Sequence, residues 1–137
     1  VVDIDGVLAD AGHRQHHLDV RPRDWAAFFA EVGGDAPIAE GLALVRELAA
    51  DHEVVLLSGR PESTRADTEA WLASCGVPYT RLVLRPDADR RPAAAMKAAA
   101  LLRMGGPGTV ALVVDDDPSV IAGLEGLGYP VRLFALH

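Results

Sequence analysis

Five short apolar runs punctuate the chain: VVDID at residues 1–5, EVVLL at 53–57, RLVL at 81–84, TVALVV at 109–114 and VRLF at 131–134. Each is short, rich in Val or Leu and bounded by polar or turn-forming residues, which predicts strands. The segments between them change period. IAEGLALVRELAA (38–50) repeats its apolar residues three and four apart. PESTRADTEAWLASC (61–75) and PAAAMKAAALLRM (92–104) each open on a proline suited to a first helical turn, and PSVIAGLEGLG (118–128) opens on proline and ends in glycine. Those are helix signals. Strands alternating with helices predict an α/β domain, with a parallel sheet, helices on both faces and right-handed crossovers.

One stretch breaks the alternation. Residues 10–37 separate the first run from its helix and predict a small lid. Within it Asp24 is placed to cap a short helix whose Trp25, Phe28, Phe29 and Val32 fall on one face, so Trp25 is expected in the packing of that helix. A chain of 137 residues, half of them hydrophobic, suffices for one core and predicts a single domain over 1–137 with 10–37 inserted in it. No apolar run approaches the roughly 20 residues of a membrane span, which predicts a soluble protein with no membrane partner. The single cysteine, Cys75, can form no internal disulfide; it fits a reducing cytoplasm and is expected as a small buried residue on a helix. The chain opens on Val rather than Met, directly in a strand, which predicts residues upstream of it.

Charge narrows the class of ligand. A net charge of −7 works against long-range attraction of nucleic acid or anionic membranes. Its distribution is uneven: Ser58 to Lys97 holds seven basic and five acidic residues, and the remainder six and fifteen. An acidic body with one arginine-rich segment suits an anion bound locally. Of thirteen basic residues twelve are arginine, and the one lysine is Lys97. It sits in the second turn of the helix after the third strand, where a long side chain leans back toward the helix N-terminus.

In a parallel sheet the C-terminal ends of the strands share one rim, and ligands bind there. At that rim the chain places Asp3, Asp5 and Gly6, then Ser58, Gly59 and Arg60, then Arg85, then Asp115, Asp116 and Asp117. On a strand Asp3 and Asp5 share one face, about 7 Å apart at Cα. Two like charges so placed call for a cation or a shared proton between them. Carboxylates from two strands with room for water suit Mg²⁺. Asp117, before Pro118, reads as a helix cap, and His13, His16 and His17 are spaced for a solvated loop. No GxxxxGK[ST] loop is present, so no kinase activity is expected in these residues.

Asp3-Ile4-Asp5-Gly6-Val7-Leu8, then Ser58, Lys97 and Asp115-Asp116, resemble the four ordered motifs of the haloacid dehalogenase (HAD) superfamily of phosphohydrolases. The likeness covers essentially the whole chain. SGRPESTRADTEAWL, Arg85 and Arg14, eleven residues beyond Asp3, resemble the phosphatase domain of phage and bacterial polynucleotide kinases, which removes 3′-phosphates from nucleic acid ends. The chain departs from that pattern at Ala93, four residues before the lysine, where the family often has an acid. The resemblance implies a Rossmann-like three-layer sandwich with a central five-stranded parallel sheet in the order 3-2-1-4-5. It implies a Mg²⁺-dependent phosphomonoester hydrolase working through an aspartyl-phosphate, with Asp3 as nucleophile and Asp5 as general acid and then base. Mg²⁺ would rest on Asp3, the backbone carbonyl of Asp5 and Asp116, with Asp115 in support. Ser58, Lys97 and N–H groups of a helix start behind Gly59 would cradle the phosphoryl group, and Arg14, Arg60 and Arg85 would clamp substrate phosphates. A lid this small leaves an open site for a bulky substrate, so a polynucleotide 3′-phosphatase leads over a phosphatase of mononucleotides or small phosphate esters. A receiver-like phosphoacceptor fits less well, because its acid follows a middle strand and Asp3 follows the first.

Overall fold

The changes of period become alternating elements in a computed structural model that describes residues 1–136. In chain order these are β1 (Ala9–Asp10), α1 (Trp25–Ala30), β2 (Ala36–Pro37), α2 (Ala39–Ala49), β3 (Val55–Pro61), α3 (Arg65–Ser74), β4 (Arg81–Arg85), α4 (Ala93–Arg103), β5 (Val113–Asp115), α5 (Pro118–Gly126) and β6 (Val131–Leu133). β3 pairs in parallel with β4, and β5 with β6. The first apolar run links the two pairs: Val2 bridges Leu56 on one side and Val114 on the other, both in parallel. The backbone N–H of Val2 donates to Val55 O at 2.9 Å and that of Asp3 to Val114 O at 3.0 Å.

β3 alternates its side chains between the faces of the sheet, and the core divides accordingly. Leu56 packs with Val45 of α2, Leu72 of α3, Ile4 and Leu8, whereas Leu57 packs with Met96 and Leu101 of α4 and Val120 and Leu124 of α5. All ten are essentially inaccessible to solvent. Each such side chain contributes about 1.5–3 kcal/mol through burial, so the two helix pairs are held to opposite faces by comparable forces.

Several expected elements differ. VVDID is not a continuous strand, because the chain turns immediately after Asp3: Ile4 O accepts from the N–H groups of Val7, Leu8 and Ala9 at 3.2, 2.8 and 3.0 Å, and Gly6 takes φ +83°. The fourth run shortens to Val113–Asp115 because Pro107–Thr109 forms a 3-10 turn. Pro61 ends β3, a 3-10 turn spans Glu62–Thr64, and α3 starts only at Arg65; Pro92 caps α4 from outside its first turn. Pro118 does open α5, behind the cap in which Asp117 accepts from Ser119 N at 2.8 Å. Cys75 is half-buried just past the end of α3.

Residues 10–37 are closed at their neck by an antiparallel ladder that the alternation did not predict, Ala9 opposite Pro37 and Asp10 opposite Ala36. Asp24 caps α1 through Ala27 N at 3.0 Å, as its position suggests. Phe28 and Val32 are buried, but Trp25 is 47% exposed and stacks on Phe29 instead. The reason is the length of α1, six residues, which leaves Trp25 at its first position beyond the surface that Phe28 covers. The three histidines lie on a 3-10 segment, Gly12–Leu18, rather than on an irregular loop. No helix among the described residues is long and apolar enough to cross a membrane.

Two glycines test the packing. A Cβ on Gly41 of α2 would stand 1.6 Å from Val7 O, whereas nothing lies within 4 Å of one on Gly108. Gly41→Ala is therefore expected to destabilise the protein by about 1–3 kcal/mol or more in urea unfolding, since backbone must move. Gly108→Ala should stay within about 0.5 kcal/mol of the parent.

Candidate active site at the strand ends

The turn after Asp3 decides where the first two carboxylates go. They do not share a strand face as the strand reading predicts. Asp3, 8% exposed, accepts from Lys97 Nζ at 2.9 Å, and the same ammonium donates to Asp115 Oδ2 at 2.5 Å. Asp5 faces two guanidiniums instead, accepting on Oδ1 from Arg14 Nη2 at 2.9 Å and from Arg60 Nη2 at 2.8 Å. One residue of separation in sequence thus becomes two chemical environments. Lys97 arrives from the second turn of α4, as its position predicts, and is 4% exposed.

Burial works against the charge on Lys97, but the carboxylates of Asp3 and Asp115 outweigh it and hold its pKa above the ordinary lysine value. Burial pushes the Asp3 carboxyl well above the usual range; Lys97 opposes this and the neighbouring Asp115 adds to it. Burial raises Asp116 as well. Asp3, Asp115 and Asp116 each offer an oxygen within 4.8 Å of the others'. Three carboxylates against one ammonium leave an excess of negative charge, and an all-oxygen donor set of this kind fits a hard divalent cation such as Mg²⁺. The carboxylate of Asp5, held by the arginines, is not part of this group. Gly6 makes room for it: a Cβ there would meet Asp116 Oδ2 at 1.9 Å, in a backbone conformation that already favours glycine.

β3 supplies the next wall. Between the pairs Leu57–Val83 and Pro61–Arg85 its register shifts, so Ser58, Gly59 and Arg60 bulge from the ladder. Ser58 is fully buried, and its Oγ accepts from Arg60 N at 3.0 Å. Gly59 lies in the bulge rather than at an α-helix start, since a 3-10 turn over Glu62–Thr64 intervenes and α3 begins six residues later at Arg65. Arg85 donates from Nε to Gly59 O at 3.2 Å and from Nη1 to Arg91 O at 2.6 Å, and its Nη2 stands 3.7 Å from where a Cβ of Gly59 would be.

Arg14 and Arg60 are 0% and 1% exposed. Their donors go to carboxylates: besides Asp5, both reach Asp35, a buried residue the motif reading missed. Burial opposes the charge on Arg14, and its bonds to Asp35 and the nearby Asp5 raise its pKa regardless. Asp35 follows Gly33-Gly34 and precedes Ala36-Pro37, so in sequence it looks like an acid in a solvated turn. The signal available was stoichiometric, because two buried arginines require more than one carboxylate. Thr68, which accepts from Arg60 Nη1 at 3.1 Å, was likewise missed.

The cleft beside these groups has a volume of about 620 Å³ and is lined by Asp5, Gly6, Asp10, Gln15, Asp116 and Phe134. A larger cavity of about 950 Å³, lined by Val54, Val55, Arg81 and Leu112, lies at the start of the strands and contains none of these site residues.

The family model described as the polynucleotide kinase PNKP phosphatase domain matches residues 1–132. A chain in the solved Pnkp1/Rnl/Hen1 complex is similar in fold, with a TM-score of 0.81 and 23% identity over 97% of this chain and 44% of that chain. A chain in a second structure, of the Pnkp1/Rnl/Hen1 RNA repair complex, matches with a TM-score of 0.79 and 23% identity over 97% and 40%. The present chain thus spans less than half the length of either. No curated protein matches it.

Lys97→Met, which keeps the stem and removes the ammonium, would leave Asp3 and Asp115 buried and uncompensated. Stability without divalent cation is expected to fall by about 3–5 kcal/mol in denaturant unfolding. Added Mg²⁺ should recover part of that loss, because a cation among the same carboxylates supplies positive charge. A loss unchanged by Mg²⁺ would speak against a cation site there.

Proposed function

Because the chain belongs to the polynucleotide kinase PNKP phosphatase domain family, and is thereby a phosphatase of HAD type, we propose that it is a Mg²⁺-dependent polynucleotide 3′-phosphatase working through an aspartyl-phosphate. The observation that supports this most is the division of labour between Asp3 and Asp5: one carboxylate beside an ammonium and two further acids, the other held apart by two guanidiniums. A double-displacement phosphatase needs such a pair, a nucleophile and a separate acid–base group.

In the first step a carboxylate oxygen of Asp3 attacks phosphorus while Asp5 gives its proton to the departing alcohol oxygen. In the second, Asp5 takes a proton from water as that water attacks the aspartyl-phosphate, releasing inorganic phosphate and restoring Asp3. Lys97 balances charge on Asp3 and Asp115 throughout. Asp3, Asp115 and Asp116, with the backbone carbonyl of Asp5, would hold Mg²⁺. When bound, Mg²⁺ offsets negative charge on the transferring phosphoryl oxygens. Ser58 and the bulge at Gly59 are well situated to meet those oxygens. With Arg14 and Arg60 committed to carboxylates, the grip on the nucleotide beyond the scissile phosphoryl group falls to Arg85 beside Gly59.

We read the two parallel strand pairs linked through Val2 as one HAD-type sheet, in the order 3-2-1-4-5 over the five predicted runs, within a single domain of residues 1–137 that carries the lid 10–37. The small lid and the similarity to a chain of an RNA repair complex favour nucleic acid ends over small esters. The reaction would proceed in the cytoplasm, where a lone Cys75 stays reduced.

Chelation by EDTA is expected to silence the enzyme and Mg²⁺ to restore it, and Asp116→Ala should raise the Mg²⁺ concentration for half-maximal activity far more than Asp117→Ala, whose side chain caps α5. Equal metal titrations for the two would contradict the ligand assignment.

Substrate preference is separable from chemistry. Arg85→Ala should reduce kcat/KM on a 3′-phosphorylated oligonucleotide by roughly 10- to 100-fold, the equivalent of one charge-assisted hydrogen bond, and change p-nitrophenyl phosphate hydrolysis little. Wild-type preference for a mononucleotide over the oligonucleotide by an order of magnitude would overturn the end-repair reading and leave a phosphatase of mononucleotides or small esters.

A further inference from the structure

Asp35 belongs to none of the matched motifs, yet its side chain is wholly inaccessible and surrounded by cations. Its Oδ1 accepts from Arg14 Nε at 2.8 Å and pairs with His13 Nε2 at 2.7 Å; its Oδ2 accepts from Arg14 Nη2 at 2.8 Å and from Arg60 Nη2 at 2.9 Å. The same two Nη2 nitrogens donate to Asp5 Oδ1. Each Nη2 carries two hydrogens, and each has two carboxylate acceptors, one on Asp35 and one on Asp5. The four groups close a ring in which every hydrogen of both nitrogens is used and two positive charges meet two negative ones.

From this ring we infer that Asp35 is a positioning residue for the acid–base step, fixing Arg14 and Arg60 so that they aim the carboxyl of Asp5. The inference rests on the phosphatase reading above. Asp35 is itself anchored: its carbonyl accepts from Trp71 Nε1 at 2.7 Å, and the next residue enters the β1–β2 ladder. The outer ends of the arginines are also held, Arg14 over the Phe28 ring at 4.2 Å and Arg60 on Thr68 Oγ1. Arg60 Nε also donates to both oxygens of Asp5, at 3.3 and 3.2 Å, and to these contacts Asp35 adds the second carboxylate that pins the two Nη2 groups together. Without its charge two guanidiniums would crowd one carboxylate, which then has no single orientation. The end of the lid is thereby tied to the chemistry, since Asp35 lies at the point where the lid returns to its neck.

The test separates positioning from mere support of the fold by using leaving groups. Transfer from p-nitrophenyl phosphate to Asp3 needs no proton on the departing phenolate, whereas transfer from a nucleotide 3′-oxygen does. Asp35→Asn keeps volume and one acceptor but loses the charge. In single-turnover measurements it should slow dephosphorylation of a 3′-phosphorylated oligonucleotide by roughly 10- to 100-fold in kcat with KM little changed, while the p-nitrophenol burst falls by less than about 3-fold. Asp35→Glu, with its charge displaced by one methylene, should recover part of the oligonucleotide rate. Trp71→Phe keeps the aromatic packing, removes only the tether on the Asp35 carbonyl, and should show the same selective loss at smaller size. A folded Asp35→Asn with an unchanged oligonucleotide rate would overturn the inference, as would loss of both rates in parallel. Asp3→Asn is assayed alongside: if it too retains wild-type turnover, the phosphatase reading has failed, whereas a dead Asp3→Asn beside an unimpaired Asp35→Asn refutes only the role of Asp35.

Discussion

The ammonium of Lys97, shared between Asp3 and Asp115, is the interaction on which the arrangement of this site depends. Three carboxylates gathered at the rim of a sheet repel one another, and two of them are taken almost wholly out of water. Without a buried positive charge that gathering is unstable. Lys97 comes from α4, Asp3 from the start of the chain and Asp115 from the end of β5, so the pair bonds join segments as far as 94 residues apart. Both apolar clusters must be in place for the three to meet, because α4 packs on one face of the sheet and the turn at Ile4 on the other. Charge and core therefore constrain each other.

Asp5 has a different logic. Its partners are guanidiniums, which lose water more readily than an ammonium and present hydrogens in a fixed fork. A single turn, from Ile4 to Ala9, divides the local environment into an ammonium side and a guanidinium side. That division gives two carboxylates one residue apart on the chain different electrostatic surroundings, to which the proposed mechanism assigns different tasks.

Much of this was legible in the sequence. The β-branched runs and the proline-led helical patterns predict the order of strands and helices, and the uniqueness of Lys97 among arginines marks it before any contact is known. What was not legible lies where tertiary hydrogen bonds override local period. VVDID reads as a strand by composition, but Ile4 O collects three N–H groups and bends it. Trp25 reads as core by helical spacing, but α1 is too short to bury its first residue. Asp35 reads as a turn acid because nothing local reveals that Arg14 and Arg60, respectively 21 and 25 residues distant, converge on it. The resemblance assigns Arg14 and Arg60 to substrate phosphate, and nothing local in the sequence reveals that both bond Asp5 and Asp35.

The central claim, that Asp3 takes the phosphoryl group from a nucleic acid end, is tested most directly by catching it there. An oligonucleotide carrying a radiolabelled 3′-phosphate is mixed with an excess of the wild-type enzyme in Mg²⁺ and quenched in acid at intervals within a single turnover, and the labelled peptide is located by mass spectrometry. The account predicts a label that rises and then falls, is stable to acid, is released by hydroxylamine and is borne on Asp3, because the acyl phosphate forms before Asp5 activates the water that hydrolyses it. Label found on another residue, or release of inorganic phosphate with no protein-bound label at any time, would contradict it.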